Sequence, residues 1–403
     1  MTTLLHVSDT HLGNRQYRSD VRRADFADGF DATIDIATEA AVDAVIHTGD
    51  LFDDPSPSVP TVNRCLDAVS RLAEAEIPFY AIVGNHERKR EEQWMDIVKR
   101  FGNTVRLTKT PTVVTDPDGD DPVSLYGIDA VRSPEWETAD FALDDCPDDH
   151  VSVLCMHELL EPLVPPHRGD PYDLEADVLD RLKFLPDGLA LGDFHSTCQT
   201  EKRGVTAFYP GATERCSVAE TGTPSVYLIE VEDGDLTLTT RTIESAGREN
   251  VPREFAVVNV AFEAGHGIEF VEERVIEEAG TNALEELVVV VRLRGADVSV
   301  TASDVHDLLA DYDVAVPHVT DKRVAEAEFD FEFDGNDAEA DIDQLLDEAV
   351  DEIDLSSITA GADDLVRSPE WEDVDTDDIR EEMNARIRTA QTEAFDGATI
   401  EER

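Results

Sequence analysis

Five short stretches of the chain carry residues suited to binding divalent cations. They are Asp9-Thr10-His11, Gly49-Asp50-Leu51-Phe52-Asp53, Gly84-Asn85-His86-Glu87, Met156-His157-Glu158 and Leu191-Gly192-Asp193-Phe194-His195. Carboxylate, imidazole and amide donors with no cysteine among them suit hard or borderline ions such as manganese, magnesium, iron or zinc. Two such ions about 3.5–4 Å apart need one bridging carboxylate and separate ligands on each side. Asp50 is the expected bridge, because Gly49 before it lets the backbone come close. One ion then takes Asp9, His11 and His195, and the other takes Asn85, His157 and Asp193. A cation pair of this kind activates water for in-line attack on phosphorus and neutralises the phosphate. His86 follows Asn85 and is the candidate to give a proton to the leaving oxygen or to the phosphate.

Each stretch directly follows an apolar, β-rich run, at residues 4–7, 44–46, 79–83, 151–156 and 189–191. Such runs, alternating with helix-like stretches, predict strands of an α/β domain. The carboxyl ends of strands in such a sheet line one crevice, where the five loops can converge. Phe26, Phe30, Ile34 and Ala37 recur at helical spacing. Pro55, Pro57 and Pro60 then interrupt the chain, and residues 61–75 predict an amphipathic helix through Val62, Leu66, Val69 and Leu72. Residues 92–101 predict a short helix showing Trp94, Ile97, Val98 and Phe101. Alternating residues on either side of Asp233-Gly234 signal a hairpin.

The first domain is expected to span residues 1–245, followed by a linker at 248–251. Residues 250–325 predict a small α/β unit with strands at 254–261, 287–293 and 315–319 and helices at 268–279 and 302–312. Residues 326–403 are markedly acidic, with helical stretches at 340–353 and 377–390. The heptapeptide V-R-S-P-E-W-E occurs twice, at 131–137 and 366–372. Its Ser-Pro-Glu suits a helix start, and the repeat reads as local coincidence.

The 403 residues include 91 acids against 33 bases, a net charge of -58, in a chain whose hydrophobic fraction of 41% is ordinary. The repeated apolar strands argue against a disordered acidic protein up to about residue 325. An acidic, Lys-poor surface is what a cytoplasm at molar salt favours, where the Debye length is roughly 3 Å. The five cysteines have no zinc-type or redox spacing, and no signal peptide is evident, which points to a reducing cytoplasm. No apolar run approaches the ~18 residues a membrane span needs.

In this order, Asp-x-His, Gly-Asp-x-x-Asp, Gly-Asn-His-Glu, an isolated His after a strand, and a Gly-x-x-His segment resemble the calcineurin-like metallophosphoesterases. The fold this implies is the β-sandwich flanked by helices of that superfamily. The finer pattern at residues 6–13, 49–53 and 209–215 (Tyr-Pro-Gly-x-x-Glu-Arg) is similar to the meiotic recombination eleven/SbcD family of double-strand-break repair nucleases. The resemblance is strong over residues 1–216. It implies a manganese-dependent DNA exonuclease and endonuclease that acts as a homodimer. It further implies a capping domain matching 250–325 and C-terminal helices docking on an SMC-like ABC ATPase of the SbcC type. The last family motif is usually Gly-His-x-His. Here it reads Gly192-Asp193-Phe194-His195, which puts an extra negative charge at the second cation.

Several residues read more plainly. His6 and His47 lie inside strands and are expected to be satisfied core histidines. Asp53 is expected to brace its loop, and Cys155 to fill core space. A DNA substrate needs cations. Arg15, Arg18, Arg22 and Arg23 follow the first motif, Arg88, Lys89 and Arg90 the third, and Lys202 and Arg203 the fifth, with Arg215 in the Tyr-Pro-Gly turn. These predict a basic strip gripping the DNA backbone, unless they pair with surrounding acids. The stretches 61–75 and 92–101 are candidates for a dimer face, and Ile379, Met383 and Ile387 for partner docking. Two other functions remain open: a small-molecule phosphatase or cyclic-nucleotide phosphodiesterase, and an end-bridging scaffold whose nuclease is dispensable.

Overall fold

The computed structural model describes residues 1–89, 93–101, 103–166, 171–248, 251–279, 284–296 and 298–323. The acidic tail with its helical stretches, the second heptapeptide, and Arg90 lie outside the described residues.

Parallel strands β1 (Thr2–Val7), β2 (Ala44–Thr48), β3 (Phe79–Ile82) and β4 (Thr104–Arg106) lie side by side in that order. A second sheet is built from β5 (Thr112–Val114), β6 (Val123–Ile128) and β7 (Val151–His157). After the short pair β8 (Leu160–Glu161) and β9 (Tyr172–Asp173), β10 (Gly188–Gly192), β11 (Cys198–Lys202) and β12 (Val205–Tyr209) complete it. The chain then returns to the first sheet as the hairpin β13 (Ser225–Glu232) and β14 (Asp235–Thr242), with β13 antiparallel to β1.

The two six-stranded sheets pack face to face as a sandwich. Alternation along each strand sorts its side chains between two layers. In β1 and β2, Leu4, Ala44 and Ile46 face the sandwich interior with Val153, Cys155 and Phe208. Their neighbours Leu5, Val7 and Val45 face the helices. The outer face of the second sheet is covered by loops through Trp136, Phe141, Leu174 and Val178. Cys155 is fully buried, as its strand position predicts.

Helix α1 (Asp20–Ala40) is capped by Ser19, whose side chain accepts from Val21 and Arg22 N–H, and it buries Phe26, Phe30, Ile34 and Ala37. Helix α2 (Val59–Glu74) starts two residues before the expected 61, because Ser58 caps it and Pro60 sits in its first turn. A proline there lacks only an N–H that would be unpaired in any case, so Pro60 begins the helix. Helix α3 (Trp94–Val98) lies within the expected stretch. Strands β4 to β6 were not expected. The first two are three residues long, and β6 is buried along its whole length and so shows no polar alternation.

Residues 255–321 form a third, parallel sheet of β15 (Phe255–Phe262), β16 (Val288–Gly295) and β17 (Val316–Asp321). Helices α4 (Ile268–Ala279) and α5 (Ala302–Asp311) pack on it, close to the expected bounds. Among the contacts that join it to the sandwich are a ring stack and an ion pair. Tyr17 stacks on His318 at 4.1 Å, and Arg253 is ion-paired to Asp25 of α1.

Candidate metal centre

The five loops leave the carboxyl ends of β1, β2, β3, β7 and β10. Parallel pairing brings those ends level, with Gly192 opposite His157 and Val7 opposite His47. The approach is close enough to require glycine. A Cβ on Gly192 would sit 2.2 Å from Thr48 O and 2.6 Å from His157 Nδ1, and one on Gly84 would sit 2.1 Å from Asp50 Oδ1. Asp9, His11, Asp50 and Asp193 all have positive φ (52°, 43°, 54° and 86°). Four non-glycine residues in that disfavoured region, each from a cation-binding stretch, mark a site where backbone comfort is given up for side-chain placement.

Two groups result. Asp9, His11 and Asp50 lie together, as do Asp50, His157 and Asp193, each group with donor atoms within 4.8 Å of one another. Asp50 belongs to both. Its Oδ2 lies 3.9 Å from His11 Nε2 and 3.4 Å from His157 Nε2, while its Oδ1 accepts from His86 N–H at 2.9 Å. His195 joins the first group, with Nε2 3.3 Å from His11 Nε2 and 3.9 Å from Asp9 Oδ1. Asn85 joins the second, with Nδ2 3.3 Å from Asp193 Oδ1. All seven expected ligands therefore converge.

The donor set fits divalent cations on physical grounds. His157 Nδ1 donates to Thr48 O at 2.7 Å, so Nε2 is the nitrogen turned toward a cation. That nitrogen is buried and has no hydrogen-bond partner among the described residues. His195 Nδ1 faces Glu220 Oε1 at 2.9 Å, which turns its Nε2 toward His11. Carboxylate- and carbonyl-oriented imidazoles with their other nitrogen facing acids are a common surrounding of metal ions.

Electrostatics point the same way. Burial works against a charged Asp50, yet His157, His11 and His86 hold its carboxyl well below the usual carboxylate range. Burial likewise opposes a charged His157, but Asp50, Asp9 and Asp193 raise the ring well above the usual imidazole range. His195 is raised too, against burial, by Cys216, Glu220 and Asp9. Burial raises Asp193, and Asp9 and Asp50 add to this against the pull of His157. Three carboxylates crowded among imidazoles need added positive charge.

His86 is half-exposed at the rim. Its Nδ1 donates to Asp53 O at 3.1 Å, leaving Nε2 4.0 Å from Asp50 Oδ2. Asp53 accepts from Asn14 at 3.0 Å and lies 3.3 Å from His11 Nδ1, so it braces both loops. His6 and His47 are each satisfied at Nε2, by Thr48 and Thr10 hydroxyls, while their Nδ1 atoms are unpaired.

The cations divide. Arg22 departs from the expected strip: it is fully buried, paired with Asp25 at 2.8 Å and Glu214 at 3.3 Å. An amphipathic helix start placed it inward, where two acids compensate it. Arg15 pairs with Asp20, Arg23 with Asp20, Arg88 with Glu135, Lys202 with Glu175, Arg203 with Asp180 and Arg215 with Glu254. Lys89 lies over the Trp94 ring at 4.4 Å. Arg18 is exposed and makes no ion pair among the described residues. Beside the second group, a cavity of about 550 Å³ is lined by Asn85, Arg88, Arg132, Ser133, Glu158 and Tyr172.

Three functional neighbours escaped the sequence reading. Glu87 accepts from Phe52 and Gly84 N–H at 3.1 and 3.2 Å, and burial pushes it up to about 8. Glu220 orients His195. Cys216 stands with His11 and His195, all three donor atoms within 4.8 Å. Burial pushes its thiol up to about 11 against the pull of His195. Glu87 lies inside a quoted motif and Cys216 directly follows one, but nothing in the sequence marked Glu220.

Known proteins were compared with the chain. The family model described as calcineurin-like phosphoesterase matches residues 2–196. The chain is similar to a DNA double-strand break repair protein Mre11 from Haloferax volcanii, 35% identical across 100% of this chain and 85% of that protein. It is also similar to one of the same description from Halobacterium salinarum, 32% identical across 99% of this chain and 97% of that one.

Proposed function

From the Mre11 family of DNA double-strand break repair proteins, to which this chain belongs as a metal-dependent phosphodiesterase of the calcineurin-like class, we propose a manganese-dependent nuclease acting on DNA ends. One observation carries the reading: Asp50 sits in two donor groups at once, as the bridge of a two-cation centre must. Asp9, His11 and His195 hold one cation, and Asn85, His157 and Asp193 the other. When bound, the pair supplies Lewis acidity toward a phosphoryl oxygen and a water of lowered pKa.

The chain's own residues do the rest. His86 donates Nδ1–H to Asp53 O, so when the ring carries a second proton that proton sits on the exposed Nε2, which gives it to the leaving 3′ or 5′ oxygen and returns to the neutral ring. Arg15, Arg18, Arg88, Lys89 and Arg215 grip phosphates. The exposed ion pair of Arg15 with Asp20 is worth roughly 0–1 kcal/mol and gives way to a polyanion, and Arg18 has no ion pair to break among the described residues. The activities are double-strand exonuclease and single-strand endonuclease. The organisation is a nuclease domain at 1–245, a capping domain at 250–325, and a tail at 326–403 that binds an SMC-like ABC ATPase of the SbcC type. A homodimer forms through the stretches 61–75 and 92–101, beside which Val59 at the start of α2 and Phe101 just after α3 are exposed. The net charge of -58 suits a cytoplasm at molar salt.

The test is nucleotide release from a labelled duplex, with manganese in molar KCl, by wild type and His86→Ala. Wild type should release nucleotides and stop with chelator. The variant should keep its manganese and lose ~10²–10⁴-fold in rate. Equal rates in the two proteins would place catalysis elsewhere. Faster turnover of p-nitrophenyl esters than of duplex would favour a small-molecule phosphatase.

A further inference from the structure

We propose that Cys216 is a thiolate ligand, with His11 and His195, for one cation of the centre, and that this side therefore takes a thiophilic ion of the zinc type. The proposal rests on the metal-centre reading above and deepens it.

The geometry is that of a nitrogen–nitrogen–sulfur face. The two imidazole Nε2 atoms stand 3.3 Å apart. Tetrahedral zinc with Zn–N near 2.0–2.1 Å and Zn–S near 2.3 Å sets its nitrogens roughly 3.3 Å apart and its sulfur roughly 3.6 Å from each. The Cys216 sulfur lies within 4.8 Å of a donor nitrogen of each imidazole, and its S–H now faces Glu214 O at 3.6 Å, a contact that coordination replaces. One carboxylate holds the pair in register: Glu220 takes His195 Nδ1 at 2.9 Å on Oε1 and the Cys216 N–H at 2.8 Å on Oε2. Glu220 thus fixes His195 in the tautomer that presents Nε2, and fixes the backbone from which the thiol projects.

The other side is built differently. Asp50, Asp193 and Asn85 supply oxygen donors, with His157 the one nitrogen donor of that set, whereas the first side adds two imidazoles and a thiol to the carboxylates of Asp9 and the shared Asp50. Soft sulfur donors select zinc-type ions, while carboxylate and amide oxygens suit manganese and magnesium. The two sides should differ in preference even though they share Asp50.

Binding breaks the Cys216 S–H bond and forms an S–metal bond. The proton goes to solvent and no electrons are transferred. A coordinating thiol loses its proton outright, whatever its affinity for it in the free protein.

The experiment uses the full chain, stripped with chelator and held in molar KCl, with cobalt(II) alone as the probe. Wild type should develop a thiolate-to-cobalt charge-transfer band in the near ultraviolet at one equivalent, and Cys216→Ser should lack it. Zinc should shield from a thiol reagent one cysteine that is reactive in stripped wild type and missing in the variant. The preference for zinc over manganese should fall at least tenfold in the variant. Cobalt bound by wild type with only a nitrogen–oxygen spectrum, and no zinc shielding, would overturn the proposal while leaving the two-cation centre standing. A wild-type chain that takes up no cobalt, zinc or manganese would remove the centre itself, and the thiolate ligand with it.

Discussion

His157 Nε2 lies 3.4 Å from Asp50 Oδ2, across the seam between the two sheets, buried and without a hydrogen-bond partner among the described residues. A buried polar atom left unpaired is costly, so the seam is stable only if something else satisfies it. A cation between the two does so.

Asp50→Asn keeps the shape and removes the shared charge. Bound divalent cation should fall from two equivalents to one or none. Loss of several kcal/mol of Lewis-acid stabilisation should cut nuclease rate roughly a thousandfold or more. Metal analysis after gel filtration checks the first, and a duplex assay the second. Two equivalents retained would deny Asp50 the bridging role.

Gly192→Ala tests the close approach. The new Cβ meets Ser8 Oγ at 2.3 Å and Thr48 O at 2.2 Å, the latter a backbone atom that cannot step aside. Overpacking of this kind costs about 1–3 kcal/mol. Denaturant melts should show that loss, with weaker manganese binding because Asp193 and His157 are pushed apart. A variant as stable as wild type would mean the sheets stand farther apart than described.

Much of this site was legible because each ligand stretch follows a strand, and strand ends in an α/β sheet must meet. The apolar runs predicted β1, β2, β3, β7 and β10, and the carboxylates and imidazoles came with them. What remained hidden depends on tertiary partners. Glu220 is 25 residues from His195 in sequence, in a loop with no periodic signal. Arg22 follows a cation-rich stretch, but its burial is decided by Asp25 and Glu214, the latter 192 residues away. Strand β6 is buried throughout, and a continuous apolar run that short does not declare itself as strand.

Surface charge makes a prediction about salt. Self-repulsion of a chain with net charge -58 is screened as the Debye length falls from about 10 Å at 0.1 M to about 3 Å at 1 M. Thermal midpoints should rise by roughly 10 °C or more between 0.1 M and 2 M KCl, several kcal/mol for a domain of this size. A flat or falling midpoint would remove the case for a molar-salt cytoplasm.

Acid should destabilise the sandwich through its buried histidines. Burial, with His47 nearby, lowers His6 to about 3; burial, with His157 nearby, lowers His47 to about 3. Their unfolded value is near 6.5. Above pH 6.5 both states are neutral and stability is complete. Below it the unfolded chain binds protons that the folded chain refuses, so stability falls as pH drops from 6.5 toward 3. The slope approaches about 1.4 kcal/mol per pH unit for each ring. His6→Asn should lose stability less steeply than wild type between pH 6.5 and 5. Parallel curves would show that His6 protonates freely in the folded state.

The third sheet is tied to the sandwich by a compensated ion cluster. Arg22 and Arg253 share Asp25, at 2.8 and 2.7 Å from Oδ2, and Glu214 takes Arg22 Nη2 at 3.3 Å and Arg253 N–H at 3.1 Å. Two cations meet two anions, so the cluster is neutral as a whole. Arg253→Met leaves one buried carboxylate in excess, and breaking such a pair costs about 3–5 kcal/mol. Arg253 also donates to Glu286 O at 2.8 Å, inside the third-sheet unit, so the loss falls on the joint between the two bodies. Amide exchange in β15 to β17 should therefore quicken before that in β1 to β3. Manganese content should hold, because among the described residues none of Asp9, His11, Asp50, Asn85, His157, Asp193 and His195 hydrogen-bonds to the cluster, whose one link to the site is Cys216 Sγ to Glu214 O at 3.6 Å. Uniform quickening across both bodies would show instead that Arg253 supports the whole fold and that the joint is no weaker than its neighbours.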